Sequence, residues 1–520
     1  MRGNWLKYFN IFGEKPNNFM KTKLTFLFLL SIFYHFSCLA QTQVNVIKKP
    51  TWNIKASYDS KSGSKVDLSG NAIAMIVDVP KADFAVVTVD DKLNQKWLTE
   101  LSGFPMAIGK FKNDVIIIAA SDRSFFKSFT NQFKAYLLEE KTGKLVSEKI
   151  IYEGSKDFVE TPEFFIAKDG SYFKMATRLT GLKRKVHIGL PVVGFFTALK
   201  LEKDFNESQS YTVIDFNDKL EQIQKMEPDM PDGDTWKASC GDDGSFIIST
   251  VDAAKGKCNV AIYLSNTPTP LKTVSIPVDA ISQDDISTIS FASSKKSLVN
   301  YIGIFYKNAN KERSTLIAKI DFNNGTYTST REVFDKDHLK ELQKSFVPAN
   351  KKFRDLNFSN SKFMDIRQIT EYNDKLLVTI SPRSVYSSSH GTSTSEGSVL
   401  INAYNSEMKP LYHQFIPRDY VSSAMGEGSE VSFNLANNTL RMLANQTDGI
   451  TAVATLYAEM DLESGKMNKI NMISKDDIKN SYYANTEYIS WLNDSFVIPF
   501  VERMGIFSKK VDLQLLQLKY

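Results

Sequence analysis

The sequence is poor in the side chains that metal sites and nucleophilic chemistry draw on: its 520 residues hold three cysteines and five histidines. Beyond residue 40 the histidines are His187, His338, His390 and His413, and none forms a pair with zinc-ligand spacing. No glycine-rich loop follows a strand to open a helix, so the sequence offers a nucleotide phosphate no cradle. Ser389-His390-Gly391 is not a triad, because a nucleophile meets its base through the fold rather than along the chain. No apolar run approaches the roughly 20 residues that a spanning helix needs. The basic excess is local too. Arg2, Lys7, Lys15, Lys21 and Lys23 against Glu14 fall in the first forty residues, and the remainder carries 59 basic and 58 acidic residues, a net +1. That balance gives no field for nonspecific nucleic-acid binding, and no nucleic-acid partner is expected.

What the chain does hold is apolar and aromatic bulk. With 42% hydrophobic, 12% aromatic and 24% charged residues it can bury a large core. After Met20 come Lys21 and Lys23, a mainly apolar run from Leu24 to Phe36, and Ser37-Cys38-Leu39-Ala40 before the polar Gln41. This is the order of a secretory signal peptide. The expectation is export to the periplasm, outer surface or extracellular space, with Met20 as the true start and cleavage after Ala40. Lipidation of Cys38 is the alternative, although His35 and Phe36 fit such a site poorly. Residues 1–40 are thus an extension and leader, and 41–520 a single domain without a membrane span.

A short motif recurs along that domain, in which an apolar strand enters an Asn, Asp, Gly or Lys turn and leaves at once as a second apolar strand. Copies lie at Phe111–Ile116, Ala167–Tyr172, Gly241–Phe246, Ser294–Leu298, Glu371–Leu376, Leu435–Leu440 and Trp491–Phe496, with a fainter one at Leu68–Ile73. Such pairs tolerate the positive φ of tight hairpins. A second hairpin follows each, turning at Asp90–Asn94, Lys141–Lys144, near Lys203–Asn206, at Asn323–Gly325, at Asn405–Glu407 and at Glu463–Lys466. Four antiparallel strands per unit, repeating every roughly 50 to 80 residues, is the scale of propeller blades. Helical periodicity is limited to Asp335–Phe346 and a candidate at Asp218–Met226.

The fold class expected is all-β: a β-propeller of eight four-stranded blades, or seven if residues 65–101 do not form one of their own. The last unit supplies only three strands before the chain ends, and the extended stretch Val44–Lys49 is free to complete it and close the ring. Cys240 and Cys258 then fall on the first and third strands of one sheet, about 9.5 Å apart from strand spacing. That is beyond disulfide reach, so both are expected as buried free thiols. The four-stranded repeat with Thr-Gly-Lys or Ser-Gly-Lys in its outer hairpin resembles the quinoprotein-like and other bacterial secreted propellers over residues 44–520. The Trp-Asp, kelch, Asp-box and quinoprotein signatures are lacking, so the resemblance implies a fold and no active site.

Up-and-down strands put the first-to-second and third-to-fourth turns on one face and the second-to-third loops and blade crossings on the other. The second face carries the long insertions Ser121–Asn131, Thr180–Gly194, Asp215–Thr235, Asp335–Asn360 and Pro382–Gly397, and ligands are expected there. Arg123, Arg178, Arg184, Arg383 and Arg503 fall at or just beyond the ends of second strands. Converging guanidiniums would suit a carboxylate, sulfate or phosphate; the alternative is a solvated rim, each paired with an acid such as Asp122 or Glu502. The acidic stretch Glu227–Asp234 has oxygens for calcium without a defined ligand spacing, so no cofactor or metal is expected. Tyr386–Gly397 reads as a flexible surface loop. The leading function is an exported non-catalytic module that binds a protein or polysaccharide. The alternatives are a carbohydrate-active enzyme using two channel carboxylates and a structural part of an envelope complex.

Overall fold

In the computed structural model, which describes residues 47–55, 64–79, 81–121, 132–154, 158–186, 199–203, 211–265, 267–280, 282–344, 363–388, 391–422, 428–448, 452–473, 482–502 and 510–520, the hairpins join into eight antiparallel sheets. Blade one is Lys65–Asp67, Ile73–Val77, Phe84–Val89 and Gln95–Leu101. Blade two is Phe104–Phe111, Asp114–Ala120, Gln132–Glu139 and Leu145–Glu153. Blade three is Phe158–Ile166, Phe173–Val186, Tyr211–Phe216 and Gln222–Met226, with Leu199–Lys203 added to its second strand. Blade four is Asp234–Cys240, Phe246–Asp252, Lys257–Tyr263 and Lys272–Pro277, and blade five is Ile286–Ser293, Val299–Lys307, Arg313–Asp321 and Thr326–Val333. Blade six is Phe363–Tyr372, Lys375–Ser388, Val399–Tyr404 and Pro410–Ile416. Blade seven is Val431–Ala436, Thr439–Asp448, Ala452–Asp461 and Met467–Ile473.

Blade eight takes Tyr482–Ala484 with Ser490–Trp491, then Ser495–Glu502 and Lys510–Lys519. Its outermost strand, Ile47–Lys55, comes from the other end of the domain, Ile47 pairing with Gln517 and Lys55 with Lys510. The chain is therefore an eight-bladed β-propeller whose last sheet is completed by its N-terminal strand. Residues 65–101 form a blade of their own, so the seven-blade alternative falls.

The core explains why the middle strands are almost continuously apolar. Alternate residues point to opposite sheet faces, and each face meets a neighbouring blade. In blade two, Ile116 and Ile118 pack with Phe173 and Met175 of blade three, while Val115 and Ile117 pack with Ala74 and Val86 of blade one. All four side chains from blade two are fully buried, each contributing about 2 kcal/mol of transfer free energy. The ring closes by the same rule, because Ile73, Met75 and Val87 of blade one share a cluster with Val497, Val501, Leu513 and Leu515 of blade eight. Between blades seven and eight, the Tyr457 and Phe496 rings stack at 5.4 Å and the Arg441 guanidinium lies 4.1 Å from the Tyr520 ring centre.

Two turn designs recur. In the first, an Asp or Asn side chain organises five residues: Asp90 Oδ1 accepts from the amides of Lys92 and Asn94, and Asn217 and Asn405 do the same in their turns. The fourth residue, Leu93, Leu220 or Met408, takes positive φ and is buried. Left-handed backbone costs such a residue roughly 1–2 kcal/mol, and burying its side chain offsets that with about 2 kcal/mol. In the second design glycine takes the strained position. A Cβ at Gly143 would overlap the Trp97 ring of the preceding blade, and one at Gly465 would overlap Tyr412. The Thr-Gly-Lys signature is thus a contact site for the neighbouring blade: Trp97 Nε1 also donates to Glu140 O at 3.0 Å, and Gly143 O accepts from Thr99 Oγ1 at 2.6 Å. Gly143→Val is expected to cost about 3 kcal/mol from overpacking and backbone strain together. Chemical denaturation monitored by tryptophan fluorescence measures it, and a loss below about 0.5 kcal/mol would refute the contact.

Several expectations need correction. Asp218–Met226 is not helical: Asn217–Glu221 is a turn and Gln222–Met226 a strand, because the turn chemistry of Asn217 overrides the helix formers after it. The outer hairpin of blade three therefore turns there, and not near Lys203–Asn206. Asp215–Thr235 is accordingly no single insertion. Tyr386–Gly397 is not a free loop; it is the end of a hairpin in which Lys375–Ser388 pairs with Gly391–Glu396. Lys336–Lys344 is an α-helix, within the expected stretch. Cys240 and Cys258 sit on the first and third strands of blade four and are free. Burial pushes the Cys258 thiol up to about 12 and raises that of Cys240 as well, so both resist oxidation.

Candidate functional site

The two ends of the ring differ as the strand order requires. On one, hairpins close in short turns such as 112–113, 373–374 and 437–438. On the other, the second strand of blade three runs on to Val186 and pairs with Leu199–Lys203, and that of blade six runs on to Ser388. The helix Lys336–Lys344 follows the last strand of blade five on this same side.

Blades six and seven are tied together here. Tyr420–Ser422 adds to the hairpin of blade six, Thr394 pairing with Ser422 and Glu396 with Tyr420. From blade seven, the Thr447 amide donates to Asp419 O at 2.8 Å, and Thr447 Oγ1 accepts from the Val421 amide at 3.0 Å. The result is a hydrogen-bonded strap across the loop-rich face.

A charge network lies with the strap. Arg367, on the innermost strand of blade six, donates through Nη2 to Glu396, through Nη1 to both Glu430 oxygens at 3.3 Å and through Nε to Ser381 Oγ at 2.7 Å. Asp365 Oδ2 is 3.5 Å from the same Nη1 and 3.5 Å from Arg383 Nη1. Arg418 is fully buried; its Nε and Nη2 donate to the carbonyls of Asn445 and Ser429 at 3.0 and 2.5 Å. Its Nη1 makes no hydrogen bond and sits 3.9 Å from Glu396 Oε2. Burial pushes the Glu396 carboxyl above its ordinary range, against the pull of Arg367, Arg418 and Arg383, and pushes Arg418 down to about 10. Three cations and three anions offset one another, and a self-neutralised buried network of this kind holds backbone in place more readily than it reacts.

The structure separates the candidate arginines. Arg383 joins this network, held by Asp365 and Glu396. Arg178 lies within the second strand of blade three, opposite Tyr211, where it and Lys237 attract the ionised form of Glu163; burial outweighs them and raises that carboxyl. Arg178 and Arg383 thus stand in separate clusters on different blades. Both lie inside extended second strands, not beyond them, because those strands outrun the blade. Arg184 also lies within the extended strand, pairing in register with Leu201. Arg123 and Arg503 lie outside the described residues, as do Ser389 and His390. In the acidic stretch, Asp229 accepts from Thr269 and Asp232 meets Lys255 at 3.4 Å. No group of three metal-ligating side chains converges among the described residues.

Sequence reasoning missed Arg367, Glu396, Arg418 and Glu430. One of them has a local correlate: Arg367 follows the alternation Met364-Asp365-Ile366 on an innermost strand and falls at the register shift between Ile366 and Gln368. No family model and no curated protein matches the chain. Among solved structures it is similar to BamB from Moraxella catarrhalis (10% identity, 91% of this chain and 100% of that one, TM-score 0.39). The WD40 domain of SCAP from fission yeast gives 10% identity over 92% and 99%, TM-score 0.39. A europium-containing methanol dehydrogenase gives 8% over 90% and 92%, TM-score 0.42. At such scores these likenesses carry no conclusion about this chain, whose blades are read from its own strand pairing.

Proposed function

We propose that the protein is an exported, non-catalytic binding protein that holds a protein or polysaccharide on the loop-rich face of its propeller. One observation carries this reading: that face bears the extended hairpins, the helix and the strap between blades six and seven, while the opposite face is closed by short turns in every blade but blade four, where residues 264–271 join the last two strands. A rigid scaffold presenting long connections is the usual geometry of a binding surface. The carboxylates of the network bear on the enzyme alternative, since Asp365, Glu396 and Glu430 all meet Arg367. A glycosidase needs one acid free to protonate a leaving group and another free to act as base or nucleophile.

The test pairs a pull-down from envelope fractions with a glycan array, using the mature protein and two variants. Val421→Asp with Lys336→Glu alters exposed positions of the loop-rich face; Lys92→Glu with Glu407→Lys alters exposed turns of the other. The reading expects the first variant to lose bound protein or glycan at least about tenfold, a change of roughly 1.4 kcal/mol, and the second to keep it. The reverse pattern would overturn it, as would specific glycan turnover.

Assembly in an envelope complex is the second reading, and a specific feature favours it. Leu145, Val146 and Ile150 on the outer strand of blade two and Ile223 on that of blade three are 41%, 57%, 55% and 63% exposed. Lys149 and Glu221 link those two strands at 3.3 Å. Loss of a captured protein on Val146→Ser with Ile223→Ser, and not on the loop-face changes, would move the interface to this rim.

A further inference from the structure

The helix between blades five and six begins at a cluster that neither the fold nor the binding reading requires. Glu332, on the last strand of blade five, accepts through Oε1 from the His338 ring at 2.7 Å and through Oε2 from Asn402 Nδ2 of blade six at 2.6 Å. Asn402 Nδ2 also lies 3.2 Å from the Tyr404 hydroxyl. One glutamate thus joins blade five, the first turn of the helix and blade six. His413, on the last strand of blade six, feels both Glu332 and His338. Asp335 Oδ1 accepts from the amides of Asp337 and His338 and caps the helix, and the Phe334 ring lies 5.9 Å from the His338 ring. The titratable and charged groups facing His338 are therefore Glu332, Asp335 and His413, while Tyr404 faces Glu332 from blade six. Leu339 and Leu342 pack into the core shared by blades five and six, so the helix is anchored by apolar contact beyond His338 and by this cluster at its start.

We propose that Glu332 and His338, with Asn402, form a proton-operated clasp that holds the start of the helix, and with it the loop-rich face between blades five and six, and that opens as pH rises. The hydrogen bond to Glu332 raises His338 above the ordinary histidine value of 6.5, although burial opposes it. Its charged pair is fully formed below 6.5 and is lost as pH rises through the raised value. Burial lowers the neighbouring His413 despite Glu332, and a charged His338 lowers it further.

Hydrogen exchange of the mature chain tests this from about pH 5 to about pH 9, corrected for intrinsic rates and read on residues 335–344 against blade one. The proposal expects protection of the helix to be full below pH 6.5 and to fall about fivefold as pH rises, the difference between a charge-assisted and a neutral hydrogen bond, while blade one stays level. His338→Gln and Glu332→Gln each remove this fall, and His413→Asn keeps it. A level wild-type profile, or a fall that survives in His338→Gln, overturns the clasp. The readout needs no ligand, so its failure would leave the binding reading untouched.

Discussion

Arg367→Ala is expected to lower the unfolding free energy by about 3–5 kcal/mol, among the largest losses available to a single substitution here. Arg367 is 6% exposed and Glu396 not at all, so truncation strands a carboxylate that water does not reach. Glu430 loses the same partner, and Arg383 and Arg418, at 3.5 and 3.9 Å from Glu396, replace it only in part. Glu396→Ala should cost less, because Arg367 keeps Glu430, Asp365 and Ser381 as partners. The double substitution should cost less than the two singles together by at least about 1 kcal/mol, since removing both ends of a buried pair leaves no uncompensated charge. Shifts in the denaturation midpoint of the four proteins measure this. Strict additivity would show that the network does not act as a unit, and the strap would then need another anchor.

Removing the closing strand should have an effect of the same order. A chain starting at residue 56 loses Ile47–Lys55 and leaves Lys510–Lys519 with an open edge. The ladder of seven paired positions, at about 0.5–1.5 kcal/mol net per hydrogen bond, puts the loss on the order of 5 kcal/mol. The exposed edge is also a template for aggregation. A synthetic peptide of residues 41–56 added in trans should restore the midpoint by adding its strand to that edge. Equal stability without the strand would contradict its role, and failure of the peptide to bind the truncated chain would place the loss elsewhere.

The sequence carried the fold because blades are local objects. Asn-Asp and Asp-Gly turns between apolar runs mark hairpins within a few residues, and the lone missing strand at the C-terminal end pointed to a donor near residue 47. What failed was nonlocal or a contest between local preferences. Asp218–Met226 looked helical until Asn217 fixed the turn. The hairpin of blade six looked like a loop because the Thr and Ser of Thr392–Ser395 give little strand signal without the neighbour that pairs with them. The site was the least legible part. Glu396, Arg418 and Glu430 come from three separate segments, and their convergence on Arg367 follows from strand pairing across two blades, which no spacing along the chain encodes. Arg383 was picked out as a rim arginine, and its ion pairs place it in the network.

Closure of the ring by its two ends underlies the eight-bladed fold, and one cross-link tests it directly. Lys55 and Lys510 are register partners, and directly opposed Cβ atoms on antiparallel strands lie at about 4.5–5.5 Å, close enough for a bridge after small adjustment. Lys55→Cys with Lys510→Cys should form an intramolecular disulfide under mild oxidation, seen by peptide mapping, with Cys240 and Cys258 still free. Lys55→Cys with Lys519→Cys, nine residues and about 30 Å away along the strand, should form none. A bridge in the second pair and not in the first would mean that the two ends do not share this sheet in this register, and the closure of the ring would fall with it.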